Sequence, residues 1–498
     1  MKRILTIPLL GATAASLFGA SGTAPKEQMN VLLITADDLD WTSVGVWGSQ
    51  VADITPNIDR FASQSLIFRH AHVASAVSQP SRGALATGMY PHTSGVEGFN
   101  HTDGYVPTVM SELRSHGYLT GILGKCGHST PDENFVWDMT HDEGELGKGR
   151  DPQKYADYFR QFIRDCKKAG KPFYFMANSH DPHRPWHGSR DDLKMHAKFN
   201  YPAPSRTYTP DEVEIPGFLP DIDSVRLELS QYFSSVHRFD DTFGAILKVL
   251  EEEGLSDRTA VFFLSDNGMS QPFSKTNAYY NSTHTPLMVR YPGVTKAGSV
   301  DGVHFVSGID FMPTVLESLG YAIPDGVEGR SYLPLLKGQT QENRDKVFTQ
   351  FYENSTKNRF PMFAVQDAKY LLIYNPWADG HYRFRSEWLG GIAFRGMVEA
   401  GKTNSSIQSR VDLLLYRVPL ELYDLEKDPN ALINLAKEPE YKDVVKQYSD
   451  ELLNWMKRYD PTVVPAFTEF MEKDERAKYM EIQMTIPAER QKRQKAAQ

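Results

Sequence analysis

Three short apolar runs each stop abruptly at a cluster of polar side chains: "NVLLITADD", "KPFYFMANSHDPHR" and "TAVFFLSDNG". A continuous apolar run of this length, bounded by polar residues, fits a strand buried on both faces, as in a parallel sheet. Helical patterns separate the runs. "TPNIDRFASQS" has Thr55 and Pro56 at its start, and "TVMSELRSHG" stops at Gly117 before the strand "YLTGILG". Leu229, Phe233, Val236, Phe243, Leu247 and Leu250 mark one face of a long helix ending near Gly254. Strand–helix alternation over roughly 300 residues predicts an α/β fold, a central sheet with helices on both faces. Ligands of such sheets bind beyond the carboxyl ends of the strands, which is where the three polar clusters fall.

The pattern changes past Gly338. "KVFTQFY", "FPMFAVQDAKYLLIYN" and "PLELYDL" read as strands joined by turns, and "YKDVVKQYSDELLNWMKRY" as a helix. The expected organisation is an export signal over 1–28, a catalytic domain over 29–338, an α+β subdomain (antiparallel sheet plus helix) over 339–470 and a charged tail over 471–498. The signal rests on Lys2 and Arg3, the apolar "ILTIPLLGATAASLFGA" and the small residues of "GASGTA". Glycines and small residues interrupt that run, which argues against a membrane anchor, and no later run is long enough to span a bilayer. The compartment implied is periplasmic or extracellular, with no stable membrane insertion. The two cysteines, Cys126 and Cys166, form neither a disulfide framework nor a metal-binding spacing. A net charge of −9 excludes a broad nucleic-acid footprint, so any anionic ligand must be held by local positive charge.

Asp37-Asp38 and Asp266-Asn267 place four oxygen-bearing side chains at two strand ends, a donor set suited to a hard divalent cation. Either pair alone would do no more than cap a turn; together, each just past a buried strand, they point to a metal. "AVSQPSRGALATG" sets Ser78 and Arg82 one helical turn apart around Pro80. A helix start favours an anion, and a guanidinium can grip a tetrahedral oxyanion with two hydrogen bonds.

"SQPSRGALATG" resembles the signature of the type I sulfatases of the alkaline phosphatase superfamily. The likeness extends through "LLITADD", "TPNIDRFASQSLIF", "TGMYPHTSGV", "GYLTGILGK", "SHDPHR", "SDNG" and "LELYDLEKDPNALINLA". It implies an alkaline-phosphatase-like fold with a mixed, mostly parallel sheet. It also implies that Ser78 is oxidised to formylglycine by an anaerobic sulfatase-maturing enzyme. In the cycle the resemblance implies, one hydroxyl of the hydrated aldehyde attacks sulfur and displaces the sugar alcohol, and the other then loses its proton and expels sulfate, regenerating the aldehyde. By the same resemblance Asp37, Asp38, Asp266, Asn267 and the modified Ser78 hold one Ca2+, and Arg82 stabilises nucleophile and sulfate. Lys125, His128, His180 and Lys275 supply further positive charge, with His180 as general acid. His128 follows Lys125 by three residues, a spacing associated with the iduronate sulfatase branch rather than the commoner two. Cys126 has no role in the pattern and reads as a packing residue.

Among carbohydrate sulfatases the motifs are most similar to those of the N-sulfoglucosamine sulfohydrolases (sulfamidases). Those have arginine where this chain has Lys275, and the exchange is not neutral. The expectation is therefore an exo-acting sulfatase removing an O-sulfate from a glucosamine-type sugar in a sulfated oligosaccharide, with the N-sulfate as the other reading. His101, His183, Arg184 and Trp186 are candidates for sugar contacts. Two other classes remain at this point: a phosphodiesterase or phosphonate hydrolase of the same superfamily, and a non-catalytic sulfated-glycan binding protein in which Ser78 stays serine.

Overall fold

A computed structural model describes residues 28–102, 104–468 and 473–497. The export signal expected over 1–28 lies, save its last residue, outside them. Eight strands form the main sheet: β1 (Asn30–Ala36), β2 (Leu66–His72), β3 (Leu119–Leu123), β4 (Met139–His141), β5 (Phe173–Asn178), β6 (Thr259–Ser265), β7 (Leu287–Arg290) and β8 (Ser299–Ser307). Their spatial order is β4-β3-β5-β1-β6-β7-β2-β8, and only the two pairings of β7 are antiparallel. The chain's first strand is thus an inner strand, with Val31 opposite Tyr174 of β5 and Ala260 of β6.

Every residue of β1 is buried, and its side chains alternate between two cores, as the two-residue period of a strand requires. Leu32 and Ile34 join Phe159 and Phe162 of the helix Pro152–Ala169, and Phe239 and Phe243 of the helix Asp223–Glu252. Val31 and Leu33 turn the other way, onto the cluster holding Leu113 and, from the helix Phe311–Ser318, Met312 and Val315. Each large side chain so buried contributes about 1.5–3 kcal/mol of transfer free energy. Helices therefore cover both faces, and the fold is the mixed, mostly parallel one expected.

A second, antiparallel sheet runs β12-β11-β10-β9, from β9 (Lys346–Glu353), β10 (Arg359–Asp367), β11 (Tyr370–Tyr374) and β12 (Leu420–Asp424). Leu452, Trp455 and Met456 of the helix Lys442–Tyr459 share a core with Phe363, Val365 and Leu372. This smaller unit braces the first: Gln350 N donates to the carbonyl of Ala74 at 2.9 Å, four residues before Ser78. The segment expected as a charged tail is helical over Lys473–Ala497. Its Gln483 accepts from Arg359 Nε at 2.9 Å, and its Arg490 lies 3.3 Å from Glu97. Cys126 and Cys166 are both free thiols.

Candidate active site

β5, β1 and β6 are adjacent and parallel, so their carboxyl ends open side by side. Asn178 ends β5, Asp37 and Asp38 follow β1, and Asp266 and Asn267 follow β6. Ser78 is the first residue of the helix Ser78–Thr87, so Arg82 lies one turn on, facing the same way. Lys125 comes just past β3 with φ 51°, and Asp38 has φ 66°, a left-handed conformation that aspartate tolerates better than most residues.

These ends converge. Ser78 Oγ donates to Asp37 Oδ1 at 3.2 Å. Asn267 Nδ2 donates to Asp38 Oδ1 at 2.8 Å, and Lys275 Nζ donates to Asp38 Oδ2 at 2.8 Å. Lys125 Nζ pairs with the Asp37 carboxylate, and His183 Nε2 lies 3.9 Å from Asp38 Oδ2. Arg82 is wholly buried beneath Ser78. Its Nε donates to Asp266 at 3.1 Å, and its Nη1 to Thr35 Oγ1 at 2.8 Å and Asn178 Oδ1 at 2.9 Å. The Arg82 side chain also brings Nη2 to 3.0 Å from Asp266 Oδ2 and 3.9 Å from Asp37 Oδ1, the oxygen to which Ser78 donates. It braces the floor of the site.

Oxygens of Asp37, Asp38 and Asp266 lie within 4.8 Å of one another, all buried. Burial first, then Asp37 beside it, pushes the Asp38 carboxyl up against the pull of Lys275. Asp266 is likewise raised by burial, and Asp37 and Asp38 add to this against the pull of Arg82. Burial opposes the charge of Asp37 too, but Lys125, then His183, Arg82 and Lys275, hold its carboxyl well below the usual range. Crowded carboxylates of this kind call for a cation. Asn267 Oδ1 is buried with no hydrogen-bond donor, an acceptor aimed at something other than protein. The donor set of three carboxylates and an amide oxygen fits a hard divalent ion.

Two buried lysines, Lys125 and Lys275, sit directly against these carboxylates. Burial opposes protonation of Lys275, yet Asp38, Glu387 and Asp37 hold it above the ordinary lysine range. Three histidines sit close by and neutral. Burial and then Lys125 lower His128 to about 3 and take His180 well below its usual value. Burial, then Lys275 and Lys125, lowers His183 to about 4. His180 Nε2 accepts from the backbone N–H of Lys125 at 3.3 Å, and its Nδ1 lies 3.7 Å from Glu143.

The candidate sugar contacts divide. His183 faces the site. His101 is half-buried against the carbonyl of Thr130 at 3.1 Å, next to Asn100, whose carbonyl accepts from Gln79. Arg184 donates to Glu228 at 2.6 Å and to the carbonyl of Ser270 at 2.9 Å, and its guanidinium lies 3.8 Å from the ring centre of Trp186. Trp186 itself is 1% exposed, with its Nε1 donating to the carbonyl of Pro182 and its ring against Tyr232. Its ring is packed within the protein, and the expectation of a sugar contact at Trp186 is corrected.

Other residues had no sequence signal. Thr35 and Asn178 hold Arg82 from inside strands, where they look like ordinary strand polar residues. Asp181 binds Arg238 through Nε at 2.7 Å and Nη2 at 2.9 Å, and the pair fixes the turn between His180 and His183. Glu387, far along the chain, lies 2.6 Å from Lys275 Nζ.

A family model described as "Sulfatase" matches residues 29–321. The chain belongs to the sulfatase family. It is a sulfuric ester hydrolase of the type I sulfatase class. A second model, "N-sulphoglucosamine sulphohydrolase, C-terminal", matches residues 268–382. The human N-sulphoglucosamine sulphohydrolase is 28% identical over 475 residues, covering 89% of this chain and 93% of that one. An N-acetylglucosamine-6-O-sulfatase of Bacteroides thetaiotaomicron is 22% identical, covering 91% of each chain. Among solved structures, a protein in complex with its substrate D-glucosamine-2-N,6-O-disulfate aligns with TM-score 0.66 and 19% identity, over 87% of this chain and 99% of that one. A phosphonate monoester hydrolase of Agrobacterium radiobacter aligns with TM-score 0.62 and 19% identity, over 87% and 96%. At such identities these two establish the shared fold alone.

Proposed function

We propose that this chain is an exo-acting carbohydrate sulfatase that removes an O-sulfate from a glucosamine-type sugar of a glycosaminoglycan fragment. The observation that carries the proposal is Ser78 Oγ set against Asp37, with Lys125 and Lys275 flanking the acidic cluster. Ser78 is 2% exposed and Lys275 3%, a depth of burial that favours a terminal sulfated sugar over the middle of a long chain. The N-acetylglucosamine and N-sulfoglucosamine specificities of the named relatives support an amino sugar.

Asp37, Asp38, Asp266 and Asn267 would hold a Ca2+, which as a Lewis acid supplies charge stabilisation at the sulfate oxygens and lowers the cost of ionising a hydroxyl. Formylglycine made from Ser78 by an anaerobic maturase would supply two hydroxyls on one carbon, a nucleophile and a means of releasing sulfate. The chain's own groups do the rest. Lys125 and Lys275 neutralise the incoming sulfate, and Arg82 keeps Asp266 and the strand ends in place. His128, His180 and His183 stay neutral until an anion arrives. The negative charge of sulfate then raises their affinity for a proton, and His180 delivers it to the leaving oxygen. The proposed working place is the periplasm or exterior; among the described residues no helix is long and apolar enough to cross a membrane.

Two observations favour a sulfamidase as the second reading: the match of residues 268–382 and the human relative. Peptide mass and a substrate panel test both. Protein made with a maturase is expected to show a loss of about two daltons at Ser78, two hydrogens removed from an alcohol. It is then expected to hydrolyse glucosamine O-sulfates faster than N-sulfoglucosamine. Preference for the N-sulfate would establish the second reading. Preference for an aryl phosphodiester or phosphonate would move the chain to the phosphoryl branch of the fold, and an unmodified Ser78 in native protein would leave only sulfated-glycan binding.

A further inference from the structure

Glu387 differs from the rest of the site in origin and in charge. It opens the short 3-10 turn Glu387–Gly390, between β11 and β12, far from the strand ends that supply the other groups. Its neighbours fasten it to the lysine loop. Ser386 Oγ lies 2.8 Å from Thr276 Oγ1. Trp388, fully buried, donates from Nε1 to the carbonyl of Lys275 at 3.3 Å and to Thr276 Oγ1 at 3.2 Å. Between these anchors, Glu387 Oε1 meets Lys275 Nζ at 2.6 Å and accepts from Ser270 Oγ at 2.8 Å. Both contacts fall on Oε1, and the side chain stays 28% accessible, so Oε2 is the edge it offers to a ligand. An oxygen of Glu387, an oxygen of Asp38 and a ring nitrogen of His183 all lie within 4.8 Å of one another.

A carboxylate in this position is unfavourable for binding sulfate, because it repels an anion and competes for the lysine that would hold it. Paired with the Lys275 ammonium at 2.6 Å and taking the Ser270 hydroxyl at 2.8 Å, it accepts hydrogen bonds rather than giving them. Such a group offsets that cost when another part of the substrate gives it a hydrogen. We propose that Glu387 determines specificity: its carboxylate accepts a hydrogen bond from a hydroxyl or N–H beside the sulfated position. It thereby selects sugars with a donor there and rejects those carrying a second sulfate or a carboxylate. This rests on the carbohydrate-sulfatase reading and narrows its substrate class.

The test compares Glu387→Gln and Glu387→Ala, made with the maturase, against the parent enzyme. Inhibition by inorganic sulfate is one readout. The other is kcat/KM for glucosamine 6-sulfate divided by kcat/KM for 4-nitrophenyl sulfate, which has no sugar donors. Both variants are expected to bind inorganic sulfate several-fold more tightly, since a negative charge leaves the pocket. Glu387→Ala is expected to lower the sugar-to-aryl ratio ten- to hundredfold, the scale of a hydrogen bond to a charged acceptor, and Glu387→Gln less. A role confined to orienting Lys275 would weaken sulfate in both variants and leave the ratio unmoved; that result overturns the proposal. If the fully converted parent hydrolyses no sulfate ester, the sulfatase reading itself fails. Calorimetric binding of inorganic sulfate and of glucosamine then decides the role of Glu387 separately: sulfate tightened and sugar weakened in Glu387→Ala sustains it, and both weakened refutes it.

Discussion

Replacing Arg238 by methionine probes how the long helix supports the chemistry. Arg238 and Asp181 are both fully buried, and the guanidinium gives one hydrogen bond to each carboxylate oxygen, at 2.7 and 2.9 Å. Methionine keeps much of the volume and removes the charge. Breaking one side of a buried ion pair costs about 3–5 kcal/mol, because the other charge is left without compensation. Arg150 Nε, 3.4 Å from Asp181, softens the loss. The penalty is therefore expected at about 3–4 kcal/mol. Urea unfolding of parent and variant at pH 7 measures it. kcat/KM should fall as well, since Asp181 fixes the turn carrying His180 and His183. A penalty below about 1 kcal/mol would refute the reasoning.

Glu97 ties stability to pH. Burial opposes its charge, but Arg359 and then His92 hold its carboxyl at about 2 rather than the ordinary 4.5. It therefore contributes about 3 kcal/mol above pH 4.5 that is lost as pH falls toward 2; Glu97→Gln should lose that stability at pH 7 and flatten the acid limb of a thermal-melting series. Lys275→Arg replaces a compact charge with a planar fork. It should raise the ratio of N-sulfate to O-sulfate hydrolysis in competition assays, and an unchanged ratio would remove Lys275 from the account of specificity.

The strand ends were legible because a buried parallel strand must stop somewhere, and a polar cluster directly after it has only the sheet edge to occupy. Asp37, Asp38, Asp266 and Asn267 were found on that ground, and Ser78 and Arg82 by their helical spacing around Pro80. What Arg82 touches was not legible, since Thr35 and Asn178 meet it only after β1 and β5 pair. Trp186 shows the limit of reasoning by residue type. An aromatic ring beside a polar motif suits a sugar equally well whether it faces solvent or fills the core, and tertiary packing alone decides. Glu387 had no local pattern at all, because it lies in an irregular stretch whose position is set by Trp388 docking on the Lys275 loop.

The inner position of β1 has a consequence for the order of assembly. The strand is made first but cannot pair until partners 143 and 229 residues further along have been synthesised. Until then it is an apolar ribbon with two open edges, the kind of segment that aggregates or pairs wrongly. Closure of such distant pairs is also slow, because chain entropy is lost before the contacts form. A ribosome-bound or truncated chain ending before Thr259 would therefore hold Asp37 and Asp38 without β6, and one ending before Glu387 would hold the lysine loop without its clasp. The active site is a late product of synthesis, even though Asp37 and Asp38 are made well before the groups that complete it.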